Sequence, residues 1–338
     1  MDKVLLGHGS GGRMMHELIE RHFAPAFEMK SLLDAAVLEG PLSAGASGRL
    51  ALTTDSYVVT PIFFPGGNIG DLAVNGTVND LAVSGARPLY LTAGFILEEG
   101  FPLADLAAVV ASMARAAAAA GVKVVAGDTK VVDRGKGDGV FINTAGVGVV
   151  PGGLELSPLR IRPGDRLLLS GPIGGHGVAV MAGRNGLSFD PPVESDTAAL
   201  NGLAEAMLSA AAGGGVRAMR DPTRGGLATI LKEFAQDSGL SMKIWEEAVP
   251  VEPGVRGACE LLGLDPLYVA NEGVLVAVVK RDVSEYLLKA MRGHPLGRRA
   301  SVIGEVGDGP AGSVLVKTAV GGTRMVEMLQ GEQLPRIC

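Results

Sequence analysis

The sequence ends Pro335-Arg336-Ile337-Cys338, so its last residue is a thiol on a polar, proline-containing tail, a place from which a side chain can carry a group. The adjacent α-carboxylate raises the pKa of such a thiol and Arg336 partly offsets that, so ready nucleophilicity needs help from a partner site. From Gly331 onward the extended chain spans at most about 26 to 29 Å, enough to swing a thiol between two sites. An accidental terminal cysteine is the plain alternative. The other cysteine, Cys259, lies in the apolar-patterned VRGACELLG and is expected to be a small buried core residue.

Four aspartates, Asp34, Asp55, Asp80 and Asp128, fall where strands or helices are expected to end. Converging carboxylates supply the hard oxygens with which Mg2+ bridges protein to phosphates, although four unrelated caps and turns would look the same. Asn75 and Asn79 share a helix face with Asp80 beside them. Lys130 follows Asp128 and Thr129 closely; it can neutralise phosphate or move a proton, or be an ordinary exposed lysine. Glu272, in Asn271-Glu272-Gly273 ahead of a strongly apolar run, is a candidate general base whose pKa burial would raise, or a turn carboxylate. Asp221-Pro222-Thr223-Arg224-Gly225-Gly226 precedes a helical pattern, so its acid, hydroxyl and arginine either cap that helix or face a ligand.

The loop GHGSGGR, from Gly7 to Arg13, precedes the helical MMHELIERHF, and the amides of Gly9, Ser10, Gly11 and Gly12 are placed to meet phosphate at a helix start. It also satisfies GxGxxG, with Asp34 at roughly the 20-residue spacing of a dinucleotide-binding fingerprint. That match is weak in a chain with 50 glycines, and a plain flexible turn stays open. No GxxxxGK[ST] occurs, so an ordinary P-loop is excluded and any ATP is held differently.

These residues need positioning elements. The pattern predicts a strand over Arg49 to Thr54 delivering Asp55, a helix over Asp71 to Ala86, a helix and then a strand between Leu103 and Ala126, and a strand over Phe141 to Val150. Prolines and glycines gather from Pro151 to Pro163, ahead of a strand at Arg166 to Ser170. Beyond it come a turn GPIGGHG opening a helix, a helix near Thr197 to Ala212, the helix after DPTRGG, and strands near Ser241 to Trp245 and Gly273 to Lys280. Helix and strand alternate in both halves, which gives mixed α/β and α+β architecture in two domains, 1–155 and 156–329, with a tail over 330–338. Periodicity is lost after Leu329, so the tail reads as exposed, and strand order is not readable.

The 338 residues carry a net charge of −6 and lack a basic run, which argues against a nucleic-acid surface. The N-terminus lacks the features of a signal peptide, so a cytoplasmic location is expected. The apolar stretch from Leu103 is broken by Asp105, Arg115 and Lys123, so no membrane span is expected. Two distant cysteines indicate neither a disulfide framework nor a zinc site.

The terminal Pro-Arg-Ile-Cys resembles the C-terminal signature of the HypE family of hydrogenase maturation proteins. GHGSGGRMMHELI, LTTDSYVVTPIFFPGGNIGDLAVNGTVNDLAVSGARPLYL, GDTKVV, DPTRGG and NEGV resemble further segments of that family in the same order. HypE is similar to a wider family of ATP-using enzymes that includes aminoimidazole ribonucleotide synthetase, selenophosphate synthetase and thiamine monophosphate kinase. The resemblance implies a two-domain aminoimidazole ribonucleotide synthetase-like fold and a homodimer with nucleotide bound near its interface. The chemistry implied is ATP-dependent dehydration of a carbamoyl group on Cys338, a thiocarboxamide, to thiocyanate. HypF would deliver the carbamoyl group and a HypC and HypD complex would accept the cyanide for the iron of a nickel-iron hydrogenase. By the same resemblance Asp34, Asp55, Asp80 and Asp128 fall on the Mg-ATP acids, while Lys130 and Glu272 assist deprotonation. Gly9 to Gly12, Asn75, Asn79 and Thr129 are expected beside the nucleotide. Other readings are a selenophosphate synthetase, a tail-docking binding protein and a Rossmann oxidoreductase.

Overall fold

In the computed structural model the described residues are 12–18, 20–21, 36–38, 48–211, 214–329, 334 and 336–338. After a short helix α1 (Arg13–Leu18), strands β1 (Ala36–Leu38), β2 (Gly48–Tyr57), β5 (Arg87–Glu98), β6 (Lys123–Val132) and β7 (Val140–Pro151) form one sheet in the order β1-β2-β7-β5-β6. A small ribbon of β3 (Phe63–Phe64) and β4 (Gly67–Asn68) leads into helix α2 (Ile69–Val83), and α3 (Leu103–Ala120) is the crossover that makes β5 and β6 parallel. The β1–β2, β2–β7 and β5–β7 pairs are antiparallel, which is not the parallel doubly wound sheet of a Rossmann oxidoreductase.

The second sheet, in the order β14-β13-β10-β12-β8-β11-β9, contains β8 (Arg166–Leu169), β9 (Val216–Arg220), β10 (Ser241–Trp245), β11 (Val276–Val279), β12 (Ser301–Gly307), β13 (Val314–Lys317) and β14 (Thr323–Val326). Among its helices are α4 (Gly175–Asn185), α5 (Asn201–Ala210), α6 (Gly226–Ser238), α7 (Pro253–Leu262) and α8 (Ser284–Arg292). Leu227, Leu231 and Phe234 of α6 join one face of the sheet, while Leu203 and Met207 of α5 with Leu287 and Met291 of α8 join the other. With both faces covered, β11 reads Val-Ala-Val-Val and every one of its residues is buried. The segment between the sheets runs through 152–165, and the boundary expected at 155/156 falls inside it.

Helix α2 is buried almost all round, its polar Asn75, Thr77 and Asn79 included, because it is enclosed between the two halves. It begins at Asn68, whose Oδ1 accepts the Gly70 N–H at 2.8 Å, while Asp71 Oδ2 accepts the Asn68 N–H at 3.0 Å, a reciprocal cap. Leu72, Val74 and Val78 enter the core of the first half. Asn79 ties the helix to the second half: its Nδ2 donates to the Ala198 and Glu272 carbonyls, both at 3.1 Å, and its Oδ1 accepts the Leu200 N–H at 2.7 Å. Asn79→Ala orphans those buried groups and is expected to cost about 2–4 kcal/mol, read as a lower urea midpoint.

Helix α3 is long and apolar enough to cross a membrane by length and composition alone. Here Val109, Met113 and Ala117 pack into the core shared with α2. The outer face of the first sheet is different: Leu52, Tyr90 and Ile96 are exposed on it, and β6 is exposed along nearly its whole length.

The tail runs inward, not outward as its composition suggests. Ile337 is buried in the core of the first half with Leu334 beside it, and the tail backbone pairs with the stretch after β2: the Val58 N–H donates to the Cys338 carbonyl and the Thr60 N–H to the Arg336 carbonyl, both at 3.2 Å. These contacts join residues nearly 280 positions apart, so no local pattern announces them.

Candidate functional site

A cavity of about 190 Å³ opens between the two halves, and Asp55, Asp80, Asp221, Arg224, Glu272 and Cys338 all line it. The elements explain the convergence. Alternation along β2 turns Asp55 and Tyr57 toward α2. On α2, Asp80 accepts from Thr53 Oγ1 at 2.7 Å. Arg224 stands just before α6, where Gly225 and Gly226 both take positive φ, 78° and 62°. A Cβ on Gly226 would meet the Leu267 carbonyl oxygen at 2.5 Å, so the paired glycines let the helix start close against its neighbour and leave the arginine at the cavity.

Glu272 is 2% exposed and sits in a loop fixed from behind. Asp196 accepts the Glu272 N–H at 3.2 Å, the Gly273 N–H at 3.1 Å and the His176 N–H at 2.9 Å. Burial pushes Asp196 up to about 6 in spite of those bonds. Asn271 holds the loop's other side, accepting the Gly174 N–H at 2.6 Å and donating to the Pro222 carbonyl at 2.8 Å.

Burial raises the Glu272 carboxyl well above the ordinary range, Asp221, Asp55 and Asp196 add to the rise, and Arg224 opposes it. Asp55 is raised by the same desolvation, tempered by Arg224 and by the Tyr57 hydroxyl, which donates to its Oδ2 at 2.9 Å. The half-buried Cys338 thiol is pushed up to about 12 by burial, with Arg224 lowering it and Glu272, Asp55 and Asp221 raising it. The docked thiol is therefore protonated at neutral pH and is no free nucleophile. What the cavity offers is a carboxyl poised to take a proton, a guanidinium to meet developing negative charge, and carboxylate oxygens for a cation.

Tyr57 was not singled out by sequence reasoning, and one glycine keeps it in place. A Cβ at Gly76 would lie 2.3 Å from the Tyr57 hydroxyl oxygen. Gly76→Ala is expected to break the Tyr57–Asp55 bond and cost about 1–3 kcal/mol from overpacking, read by thermal melting alongside a fall in turnover.

Asp55, Asp80, Glu272 and Cys338 are thus brought together. Asn75 and Asn79 point elsewhere: Asn75 Nδ2 donates to Thr197 Oγ1 at 3.2 Å and Asn79 binds backbone, so both join the halves. Asp128, Thr129 and Lys130 are on exposed β6, where Lys130 Nζ and Asp128 Oδ1 pair at 2.7 Å, outside the cavity. The strand expected to stop at Ala126 runs on to Val132 and carries them outward along β5. Gly12 packs at the start of α1, where the Arg13 N–H donates to the Leu329 carbonyl at 3.1 Å; Gly9, Ser10, Gly11 and Asp34 lie outside the described residues. Among the described residues no group of three His, Cys, Asp or Glu side chains has metal-binding geometry. Cys259 is buried as expected, its thiol raised to about 11 by burial.

Of Asp221-Pro222-Thr223-Arg224, Asp221, Thr223 and Arg224 all line the cavity. Sequence reasoning also missed His176, Ser195 and Asp196. His176 lay in the quoted GPIGGHG turn but had no acidic or nucleophilic neighbour in sequence to mark it.

Residues 33–150 match the family model of the AIR synthase related protein N-terminal domain and residues 162–317 that of its C-terminal domain. The fold is thus that of an AIR synthase-related protein. The carbamoyl dehydratase HypE of Azotobacter vinelandii is 58% identical over 338 residues, spanning 99% of this chain and 97% of that protein. The HypE of Escherichia coli K12 is 47% identical over the full length of both. The chain belongs to the HypE family of carbamoyl dehydratases. Among solved structures it is similar to a HypE–HypF complex, with a TM-score of 0.86 and 50% identity over 92% of this chain and 99% of that one. It is also similar to HypE in complex with ATP, with a TM-score of 0.82 and 48% identity over 99% of this chain and all of that one. A thiamine monophosphate kinase of Aquifex aeolicus, 18% identical with a TM-score of 0.66 over 92% of this chain and 97% of that one, shares the fold.

Proposed function

We infer that the chain is an ATP-dependent carbamoyl dehydratase of hydrogenase maturation and that its substrate is a carbamoyl group on its own Cys338. The observation that carries this reading is the presence of Cys338 in one cavity with Glu272, Arg224, Asp55 and Asp80. Oxygen is a poor leaving group from an amide. If the carbonyl oxygen of Cys–S–C(=O)–NH2 takes the terminal phosphoryl group of ATP, ADP departs; phosphate then leaves with that oxygen, both N–H protons are lost and the carbon–nitrogen triple bond forms. No oxidant or reductant is needed.

Glu272 takes the nitrogen protons, and the burial that raises its pKa makes it a stronger base than an ordinary carboxylate. Arg224 faces the sulfur and meets charge developing on the transferred oxygen. Mg2+ is usually held by one or two carboxylates plus substrate phosphates, and Asp55 and Asp80, two carboxylates on one cavity, fit that demand. When bound, Mg2+ would neutralise phosphate charge during transfer.

Lys130, Asp128 and Thr129 enter this scheme only through a second copy of the chain. The exposed Leu52, Tyr90 and Ile96 on the outer face of the first sheet support a homodimer formed there, which would cover β6 and bring its polar residues to a nucleotide at the interface. The similar HypE–HypF complex supports a HypF protein as the partner that donates the carbamoyl group; a HypC and HypD complex as cyanide acceptor is what the resemblance to the HypE family implies. Mass spectrometry of the tail peptide after incubation with HypF, carbamoyl phosphate and ATP is the test: carbamoylation at Cys338 followed by loss of water is expected, and an unmodified tail overturns the reading.

A further inference from the structure

His176 lies at 0% exposure in the first turn of α4, yet its ring reaches the tail rather than the cavity. Its Nε2 is 2.7 Å from the Ile337 carbonyl oxygen and its Nδ1 is 2.8 Å from Ser195 Oγ. A carbonyl can only accept, so Nε2 carries the hydrogen. Burial lowers the ring to about 4, which keeps it neutral at physiological pH and leaves Nδ1 bare to accept from the serine hydroxyl. Ser195 Oγ is itself fixed by the Thr197 N–H at 3.1 Å, and the ring meets Phe64 edge-on at 5.4 Å between centroids. Beside it, Arg184 donates from Nη2 to the Arg336 carbonyl at 2.8 Å and to the Thr60 carbonyl at 2.7 Å. Arg336 takes φ 50°, the only positive φ among the non-glycine described residues, a left-handed turn that its neighbours must hold in place.

The bonds that His176 and Arg184 make to the tail fall on its backbone, at the Ile337 and Arg336 carbonyls. We propose that His176, oriented by Ser195 and flanked by Arg184, is a latch on the tail backbone that docks Cys338 in the cavity whatever group the sulfur carries. His176 and Ser195 are positioning residues. The latch rests on the carrier reading in one respect: a thiol loaded by another protein has to leave the cavity, so its docked fraction must be set by contacts that do not involve the cargo. Asp196, the neighbour of Ser195, anchors the Glu272 loop and accepts the His176 N–H, so tail docking and the placement of the base share one short segment.

The test uses the full-length protein without ATP or carbamoyl donor, and reads the rate at which iodoacetamide modifies Cys338, followed by peptide mass spectrometry. His176→Phe keeps the aromatic volume and removes the donor; about a tenfold faster alkylation is expected, the effect of losing one buried hydrogen bond. His176→Gln, which restores an N–H toward Ile337, is expected to react at close to the wild-type rate. Ser195→Ala, which frees the ring without removing it, is expected to fall between them and serves if the phenylalanine variant fails to fold. Equal rates in wild type, His176→Phe and Ser195→Ala, or a glutamine variant as fast as the phenylalanine one, overturn the latch. Because no dehydration chemistry is involved, those outcomes leave the catalytic reading untouched, and loss of the catalytic reading leaves the latch standing.

Discussion

Cys338→Ala is expected to abolish thiocyanate formation and carbamoyl-dependent ATP turnover entirely while leaving the fold intact. No other residue lining the cavity can replace the sulfur, because the substrate is attached to it, so the loss is that of the substrate and not of a fraction of rate. The side chain is one atom beyond alanine and only half-buried, so stability is expected to change by less than about 1 kcal/mol, a modest loss of buried area. The measurement is a tail-peptide mass before and after reaction together with thermal melting. Dehydration of a carbamoyl substrate by the alanine variant would refute the carrier role.

Glu272→Gln has the second largest expected effect. Removal of a positioned general base lowers kcat by roughly 10²- to 10⁴-fold. The pH profile separates this from a structural loss. Wild-type activity is expected to fall as pH drops through the raised pKa of Glu272, because the protonated carboxyl cannot accept a proton, and that limb is expected to vanish in the glutamine variant. Stability moves the other way. A carboxyl raised by folding from its ordinary 4.5 keeps its proton longer in the folded chain, so its contribution is fully present below 4.5 and is lost as pH rises through the folded value. Glutamine cannot ionise, and at pH 8 the variant is expected to melt a few degrees higher, on the order of the shift for 1 kcal/mol in a chain this size. Unchanged activity with an unchanged pH profile would move the base elsewhere, with Lys130 across a dimer interface next in line.

How much could be read from residues alone depended on the range of the interaction. Alternation delivered Asp55 on a strand, and helical spacing put Asp80 on α2, because both are local regularities. Glu272 was marked by the apolar run behind it, which is β11, an interior strand of a sheet covered on both faces. The same local logic ended the strand before Asp128, when pairing with β5 carries it on to Val132. Whether a strand is central or at an edge is a property of the sheet order, which no single segment states. The tail shows the limit most clearly. Pro335, Arg336 and the adjoining polar residues suggest exposure, yet Ile337 is buried and its carbonyl is held by a histidine that sequence reasoning passed over.

The raised thiol pKa of docked Cys338 also decides which bond can break. A sulfur whose anion is disfavoured to about 12 is a poor leaving group, so in the cavity a carbamoyl carbon is far more readily parted from a phosphorylated oxygen than from sulfur. Hydrolytic loss of the cargo is expected to be suppressed by the same burial, with Glu272, Asp55 and Asp221 adding to it, that holds the proton on the free thiol. If the tail leaves the cavity, the sulfur would regain water and lose the proximity of Asp55, Asp221 and Glu272, and would become easier to expel. Retention during synthesis and release at delivery would then follow from one change of electrostatic surroundings, with no separate residue assigned to either.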